Sequence, residues 1–232
     1  MSRWMAALIG VFALSCCGLS PAQAEASPEE PHEFNNWYID PHDTTVRFFA
    51  TELAIKKVKG AFDTVCGTVQ YDGKSAESLK VHAEIDVDTV DTAIKMRDKA
   101  LKGDDFLKVA KYPFIIFDST RIIPTTPGHF RMYGNLKIRQ STKEVVVDVN
   151  GPGPFTKSIR DKTCFTAHAT AKLNRKDFGI NGSGALISDE IPVVISVRVV
   201  EGADPDEGTR AETRRKQQED FANNEAFKRL KH

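Results

Sequence analysis

Residues 97–106 have the sequence RDKALKGDDF, and residues 112–119, which follow shortly after, have the sequence YPFIIFDS. The first stretch is rich in good helix formers and charged side chains, whereas the second has the β-branched and aromatic residues that favour a strand. The dipeptide Tyr112-Pro113 separates the two, because the residue before a proline is disfavoured in a helix. We therefore predict one or two helical turns within residues 92–109, broken near Gly103 and followed by a β-strand.

Outside this helical segment, residues 37–201 alternate between apolar and polar side chains with a period of two. Such alternation is typical of half-buried strands in an antiparallel sheet that has one face in water. The number of these strands and their short connections favour closure into a barrel, because an open sheet would leave exposed edges. The apolar positions that share a face are Val46, Phe48 and Ala50; Leu79, Val81, Ala83, Ile85 and Val87; Phe130, Met132, Leu136 and Ile138; Val145, Val147 and Val149; and Ile191, Val193, Ile195, Val197 and Val199.

One strand, residues 165–173, has small residues on the face where the other strands have large ones. Its apolar face contains Ala167, Ala169 and Ala171 in succession. The space that they leave is either filled by large side chains from other strands or holds one small ligand, and both alternatives remain open. An apolar cavity offers water no hydrogen-bonding partner, so it stays dry or takes an apolar molecule. The predicted lining residues are Phe48, Ile85, Phe117, Leu136, Val147, Ala167, Ala169, Ala171 and Ile195.

Charged side chains stand at the ends of two predicted elements, in Arg97-Asp98 and in residues 175–177. They either form solvated ion pairs at the barrel rim or meet a polar or phosphorylated headgroup whose tail enters the barrel. A guanidinium fork suits phosphate oxygens. Arg97 and Arg175 are therefore candidate ligand-binding residues at the mouth of the cavity.

The first 24 residues have the layout of a secretory signal peptide. Arg3 is their only charged side chain, residues 4–19 are uncharged and mostly apolar, and Ala22-Gln23-Ala24 matches a small-x-small cleavage site. We therefore expect export to the periplasm and a mature chain that begins at Glu25. Two alternatives remain open: an uncleaved segment would anchor the protein in a membrane, and processing at Cys16 would make it a lipoprotein.

The remaining chain divides into a linker at residues 25–36, a barrel domain at residues 37–201 and a charged tail at residues 202–232. The tail carries balanced charges and few large apolar side chains, which favours a solvated segment. The alternative is a helix that docks onto the barrel through Phe221 and Phe227.

Composition and motifs exclude several classes of function. The chain has 32 Lys and Arg against 32 Asp and Glu, so we expect no nucleic-acid partner, which would require a clustered basic surface. No two histidines have metal-ligand spacing, and neither a G-x-S-x-G motif nor a glycine-rich phosphate loop occurs. We therefore expect no metal, no resident cofactor and no enzyme activity.

Two cysteines, Cys66 and Cys164, would remain after cleavage of the signal peptide. Thiols in an oxidising compartment often pair, but sequence spacing does not show whether two backbones lie close enough. A disulfide and two thiols both remain open.

Five segments, in order, resemble the YceI-like family of periplasmic proteins, whose lipocalin-like barrel holds polyisoprenoid lipids. The chain departs from the family pattern at Thr51-Glu52 and Ala100, where the family often has histidine, and at Gln140, where it usually has glycine. If those histidines contact a ligand headgroup, the headgroup preference of this chain stays open. The matching segments are residues 37–48 (WYIDPHDTTVRF), 58–72 (VKGAFDTVCGTVQYD), 90–106 (VDTAIKMRDKALKGDDF), 133–145 (YGNLKIRQSTKEV) and 174–180 (NRKDFGI).

The resemblance implies an all-β fold, an eight-stranded antiparallel lipocalin-like barrel with a short helical cap, followed by the charged tail. It also implies a periplasmic carrier that holds an isoprenoid lipid, a quinone or another long amphiphile and meets a membrane only transiently, during lipid exchange. The alternative from another class is a stress-response or structural interaction protein with a filled barrel and an unknown protein partner. A hydrolase is a more distant alternative.

Overall fold

The computed structural model describes residues 35–158, 160–213, 215, 216 and 219. The predicted signal peptide and most of the predicted linker lie outside the described residues, as do Phe221 and Phe227. The strands are β1 (Asn35–Ile39), β2 (Thr45–Glu52), β3 (Lys56–Phe62), β4 (Val65–Tyr71), β5 (Lys80–Asp86), β6 (Val90–Asp91), β7 (Phe114–Thr126), β8 (His129–Ile138), β9 (Ser141–Asn150), β10 (Thr156–Lys157), β11 (Thr163–Asn174) and β12 (Glu190–Glu201), with helix α1 at Lys95–Lys102.

Six of these segments combine into three bent strands. Short breaks at residues 40–44, 63–64 and 87–89 separate β1 from β2, β3 from β4 and β5 from β6. The halves of the first two bent strands pair as β1 with β4 and β2 with β3. The second and third pair as β4 with β5 and β3 with β6. The bends follow the tight twist that a closed barrel imposes on long strands.

Closure of the barrel follows from the pairing of the last strand with the first. Each strand is antiparallel to its successor along the chain, and β12 pairs with β11 on one side and with β1 and β2 on the other. Ile195, for example, faces Ala169 on one neighbour and Val46 on the other. Counted over the described residues, the bent strands together with β7, β8, β9, β11 and β12 form a closed eight-stranded antiparallel barrel, which confirms the predicted fold.

The helical cap is also confirmed. Helix α1 ends at Gly103, and β7 begins directly after Tyr112-Pro113. The helix lacks a side-chain N-cap, but the Asp98 carboxylate in its first turn accepts a hydrogen bond from the backbone N–H of Thr92. This contact stabilises the turn that leads from β6 into the helix.

The barrel has two different ends. At the closed end lie the connections 72–79, 127–128 and 151–162. At the other end, which we call the mouth, lie the hairpin turn 53–55 and the connections 92–113, 139–140 and 175–189. The two long connections at the mouth provide the cap.

No disulfide joins Cys66 and Cys164. Cys66 lies on β4 and Cys164 on β11, and strands β1 and β12 separate them. Three inter-strand spacings of about 4.8 Å each place the two Cα atoms well beyond the roughly 7 Å that a disulfide tolerates. Of the two alternatives that the sequence left open, the structure shows the pair of buried thiols.

Candidate ligand cavity

An internal cavity of about 470 Å³ occupies the barrel. Its walls are inward-facing side chains from all eight strands of the barrel, because alternate residues of a strand point to the same face. Nearly all of these side chains are apolar; the polar ones are Thr44, Glu52, Arg97, Arg175 and Ser183. A volume of this size lies within the roughly 300–1,000 Å³ that is common for ligand pockets.

The cavity stays open because two inward phenylalanines lie flat against glycines. Phe48 on β2 faces Gly60 on β3, and a Cβ atom at Gly60 would overlap the Phe48 ring. The ring of Phe117 covers Gly134 in the same way, two residues from its paired position on β8. Glycine permits such close approach because it has no side chain of its own. The rings therefore line the wall instead of filling the centre.

Alanines on β11 leave further space along another part of the wall. Ala167 and Ala169 are buried and Ala171 is half-buried, and all three line the cavity. Ala83 on β5 adds a fourth small side chain to the lining. These positions hold no side chain long enough to reach the centre.

An aromatic cluster seals the closed end. The rings of Trp37 and Phe165 meet edge to face with centroids 5.4 Å apart, and Tyr71 stacks on Phe155 at 6.5 Å. Trp37 and Tyr71 are almost fully buried. Burial raises the pKa of the Tyr71 hydroxyl, which stays neutral at physiological pH. The closed end of the cavity is therefore a hydrophobic floor.

At the mouth, the buried side chain of Arg139 joins the two long connections. Its Nη1 donates to the carbonyl oxygen of Gly179 at 2.8 Å and to that of Phe106 at 3.2 Å. The connections also pack directly, since a Cβ atom at Gly182 would lie 2.8 Å from the Phe106 ring. This part of the cap is therefore fixed.

Arg175 lines the cavity, but its guanidinium is bonded to the protein itself, and its role at a ligand headgroup stays a prediction. Its side chain is 5% exposed, and its guanidinium donates to five backbone carbonyls within residues 180–188. It also pairs with Asp189 at 3.1 Å. A buried guanidinium needs hydrogen-bond acceptors for its N–H groups, and here backbone carbonyls provide them. These hydrogen bonds stabilise the conformation of the connection 175–189. The hydrogen bond from Lys176, together with the charge of Arg175, lowers the pKa of Asp189, which keeps this carboxylate ionised.

Arg97 lines the cavity at the mouth and keeps a donor available. Its Nε donates to the Thr92 hydroxyl at 2.9 Å and its Nη2 to the Thr92 carbonyl at 2.8 Å. The same hydroxyl donates to Asp98, so the three side chains form one network. Within the described residues Nη1 makes no hydrogen bond, and the side chain is half-buried and lines the cavity. Glu52 contributes a negative charge to the described lining residues at the mouth.

All eleven predicted site residues lie on the wall of the cavity, where the structure brings them together. That they contact a ligand stays a prediction. Sequence reasoning missed the cap residues Phe106, Phe178, Ile180 and Ile187, which also line the cavity. Phe106 directly follows the polar stretch 102–105, and Phe178 directly follows the polar stretch 174–177. A single aromatic side chain after such a stretch was the sequence signal that could have identified both residues.

Other kinds of site are absent from the part of the chain that the structure describes. There, no group of three or more His, Cys, Asp or Glu side chains converges where a metal ion could be held. Among the same residues, no helix has both the length and the apolar composition needed to cross a bilayer.

Fold and cavity together define a lipocalin-like barrel, a class in which a closed antiparallel sheet encloses a binding space. The YceI-like domain model matches residues 37–199, so the chain belongs to the YceI-like family. A UPF0312 protein of Azotobacter vinelandii is 32% identical over 155 residues, which cover 67% of this chain and 80% of that protein. A UPF0312 protein of Yersinia pestis is 31% identical over 157 residues, with the same coverage.

Solved structures share the fold. The YceI protein of Campylobacter jejuni is 30% identical, with a TM-score of 0.58, and the match covers 64% of this chain and 88% of that one. BcnA of Burkholderia cenocepacia matches with a TM-score of 0.60 at 20% identity, over 69% of this chain and 98% of that one. A polyisoprenoid-binding domain of Saccharophagus degradans, implicated in plant cell wall breakdown, matches with a TM-score of 0.52 at 12% identity, over 72% of this chain and 98% of that one.

Proposed function

We propose that this protein is a periplasmic binding or carrier protein that holds a long-chain isoprenoid lipid, a quinone or a similar amphiphile inside its barrel. The observation that carries the proposal is the apolar cavity of about 470 Å³, which has a hydrophobic floor and charged lining residues only at the mouth. A long apolar tail fits the walls, and a polar headgroup fits the mouth. The polyisoprenoid-binding domain among the structural neighbours supports the same ligand class.

Binding without catalysis accords with the chemistry of the cavity. Among the described residues that line it there is no histidine and no cysteine, and the charged ones are Glu52, Arg97 and Arg175. Arg175 is bonded to backbone carbonyls, and Arg97 is bonded to Thr92.

The periplasmic location rests on the predicted signal peptide. Cleavage after Ala24 predicts a mature protein that begins at Glu25. Mass analysis of the protein recovered from the periplasm tests this directly. A lipid-modified Cys16, or an intact N-terminus, would contradict it.

The ligand itself is tested by native mass spectrometry and organic extraction of the purified protein. We expect a co-purifying amphiphile with a long chain, in a ratio near one per barrel, because about 470 Å³ is the volume of one ordinary ligand pocket. Repeated purifications that yield empty protein, and no binding of added prenyl alcohol, prenyl phosphate or quinone, would favour the alternative of an interaction protein with a non-binding barrel.

The headgroup is tested with prenyl phosphate and prenyl alcohol of equal chain length. If the available donor of Arg97 meets the headgroup, Arg97→Gln lowers the affinity for the phosphate at least about tenfold, because a hydrogen bond to a charged group is lost. The affinity for the alcohol changes little. Lys74→Gln, an exposed lysine at the closed end and outside the cavity lining, is the control. Equal losses for both ligands would show that Arg97 only shapes the mouth.

A further inference from the structure

We propose that the mouth of the barrel docks onto the surface of an anionic lipid bilayer through a defined set of exposed side chains, which we call the mouth patch. This inference rests on the proposed function, since a carrier of membrane-borne amphiphiles must collect and release them. It adds the surface that makes the contact. The mouth patch comprises the apolar residues Leu53, Ile55, Ile94, Met96 and Leu186 and the cations Lys57, Lys95 and Lys99.

Large apolar side chains are concentrated at this end of the molecule. Of the nine exposed large apolar residues in the described chain, five belong to the mouth patch. Ile55 is 87% exposed and Met96 is 83% exposed, the two highest values among them. Exposed apolar surface around the entrance of a cavity marks an interaction site more often than scattered single residues do.

Hydrogen bonds make one half of the mouth patch continuous. The backbone N–H of Leu53 donates to the carbonyl oxygen of Leu186 at 2.7 Å, and that of Ser188 donates to the Thr51 carbonyl at 2.8 Å. The turn 53–55 and the connection 175–189 therefore present their apolar side chains together. Across the cavity entrance stands α1, whose residues Ala100 and Leu101 line the cavity while Met96 faces solvent.

The hairpin turn itself is built against its local preference. Leu53 and Ala54 have φ angles of 52° and 59°, and the backbone N–H of Ile55 donates to the Glu52 carbonyl. Two positive φ angles in succession favour Asn-Gly, because a Cβ atom is strained in this region. A turn that only joined two strands would gain stability from Asn-Gly. Here the two strained positions are occupied by Leu53 and Ala54, and the exposed Ile55 follows them. This choice of apolar residues indicates that the turn contacts an apolar partner.

The charges of the mouth patch select the partner. Lys57, Lys95 and Lys99 form no ion pair within the described residues, whereas Lys56 and Lys102 pair with acidic side chains. The acidic residue within α1, Asp98, is bonded to Thr92 and does not compensate for these cations. Exposed apolar side chains flanked by lysines fit a bilayer with anionic headgroups, because the apolar groups enter the interface and the lysines meet the headgroups.

A bilayer accounts for the mouth patch better than a second copy of the chain. In a symmetric dimer through this patch, the unpaired lysines of one protomer would face those of the other. Continuity with the cavity entrance gives a further reason, since a tail could then pass between the bilayer and the barrel without crossing water.

The experiment is co-sedimentation of the full chain, as processed by its host, with vesicles of phosphatidylglycerol and phosphatidylcholine in equal parts, and with vesicles of phosphatidylcholine alone. We expect binding to the anionic vesicles that weakens as salt is added. Ile55→Ser and Met96→Ser should each lower the partition coefficient at least about tenfold. Lys57→Glu should lower it on anionic vesicles and leave the weak binding to neutral ones unchanged.

Matched changes at the closed end provide the controls. Ile123→Ser removes another exposed apolar side chain and Lys74→Glu reverses another exposed charge, both away from the mouth. These variants should bind vesicles as the unchanged protein does. All variants share the same termini, so any vesicle binding by the ends of the chain is common to them.

Three outcomes would overturn the proposal. The first is that a protein that still carries a co-purified amphiphile does not bind vesicles. The second is that the mouth variants and the controls lose vesicle binding equally. The third is that the protein is a dimer, which Ile55→Ser converts to a monomer. The first outcome leaves the proposed function intact. Conversely, Ala169→Phe, which places a ring inside the cavity, should leave vesicle binding unchanged even when it removes the ligand.

Discussion

Asp148 and Thr170 face each other across β9 and β11, and they form the last pair of that ladder toward the mouth. Beyond them β9 continues to Ser141 in its pairing with β8, and β11 continues to Asn174 in its pairing with β12. The two strands therefore diverge and leave a gap in the wall. Side chains rather than a ladder close this gap, and Phe178 lines both the cavity and the groove outside it.

This gap predicts weak local protection from amide exchange. At the gap, some backbone N–H and C=O groups have no hydrogen-bond partner on the strand across it. They belong to residues 144–147 of β9 and 171–174 of β11. These segments should therefore unfold locally more easily than a continuous ladder. We expect their amides to exchange at least about tenfold faster than amides of the continuous β7–β8 ladder, such as residues 131–137. Hydrogen-exchange mass spectrometry with overlapping peptides measures this difference. Equal protection in both regions would show that the wall is closed in solution.

Arg175 predicts a large loss of stability on a conservative change. Arg175→Lys removes the planar fork, so several carbonyls of residues 180–188 lose their donor in a buried site. We expect the free energy of unfolding to fall by about 3–5 kcal/mol, the usual cost of breaking a buried charged network. Urea titration followed by circular dichroism gives the value.

Lys176→Met is the matched control for that change. Lys176 is half exposed and bonds Asp189 at 2.6 Å, so its loss should cost less than about 1 kcal/mol. If Arg175 instead contacts a ligand headgroup, as the sequence predicts, the result for Arg175→Lys should be different. In that case Arg175→Lys would leave stability unchanged and would weaken binding of a prenyl phosphate.

His82 on the outside of β5 predicts a pH-dependent contribution to stability. Its Nδ1 lies 2.6 Å from Asp118 and its Nε2 lies 3.4 Å from Glu84. Burial by itself would lower the pKa of His82, but the hydrogen bonds and charges of Asp118 and Glu84 outweigh it and raise the pKa above the ordinary 6.5. Because the folded state binds the proton more tightly, the stabilisation is complete below pH 6.5 and is lost as the pH rises through the folded-state pKa.

His82→Gln should therefore destabilise the protein more at pH 5.5 than at pH 8.5. The imidazole is 43% exposed, so we expect the difference to stay below about 1 kcal/mol. Urea titrations at the two pH values measure it, and His168→Gln, an exposed histidine on β11, is the control. An equal or larger effect at pH 8.5 would show that His82 contributes by packing and not by charge.

The wall of the cavity was predictable because strand geometry is local. Alternate side chains of a strand point to the same face, so a run such as Ala167, Ala169 and Ala171 identified lining residues without any knowledge of their neighbours. The closed barrel was predictable for the same reason, together with the family resemblance. The short helix before Tyr112-Pro113 followed from local propensities.

What remained hidden depends on contacts between distant segments. Whether Phe48 fills the cavity depends on the register of β2 and β3, which pairs Phe48 with Gly60. The sequence of one strand does not determine its register with another strand. The donors of Arg175 are satisfied by a connection whose fold no periodicity describes. The distance between Cys66 and Cys164 likewise depends on how many strands lie between them in the closed sheet, and on nothing in their spacing along the chain.

Ala169→Phe separates a carrier from a filled barrel in a single variant. Ala169 is buried on the cavity wall, where it faces Val149 on β9 and Ile195 on β12. If the cavity is open to a ligand, a phenyl ring enters empty space, and the ligand-free protein keeps or gains stability while it loses the co-purified amphiphile. If neighbouring side chains already fill that space, the ring overpacks the core and lowers the free energy of unfolding by about 1–3 kcal/mol.

The matched control for this variant is His168→Phe, which places the same ring one residue away on the outside of β11. It should leave both stability and bound lipid nearly unchanged, because an outward side chain on this strand meets solvent and not the cavity. Thermal unfolding of delipidated protein gives the stability, and extraction followed by mass spectrometry gives the bound amphiphile. A large loss of stability in Ala169→Phe, together with no amphiphile in the unchanged protein, would rule out a ligand cavity. Loss of the amphiphile from Ala169→Phe alone, at unchanged stability, would place the ligand tail against β11.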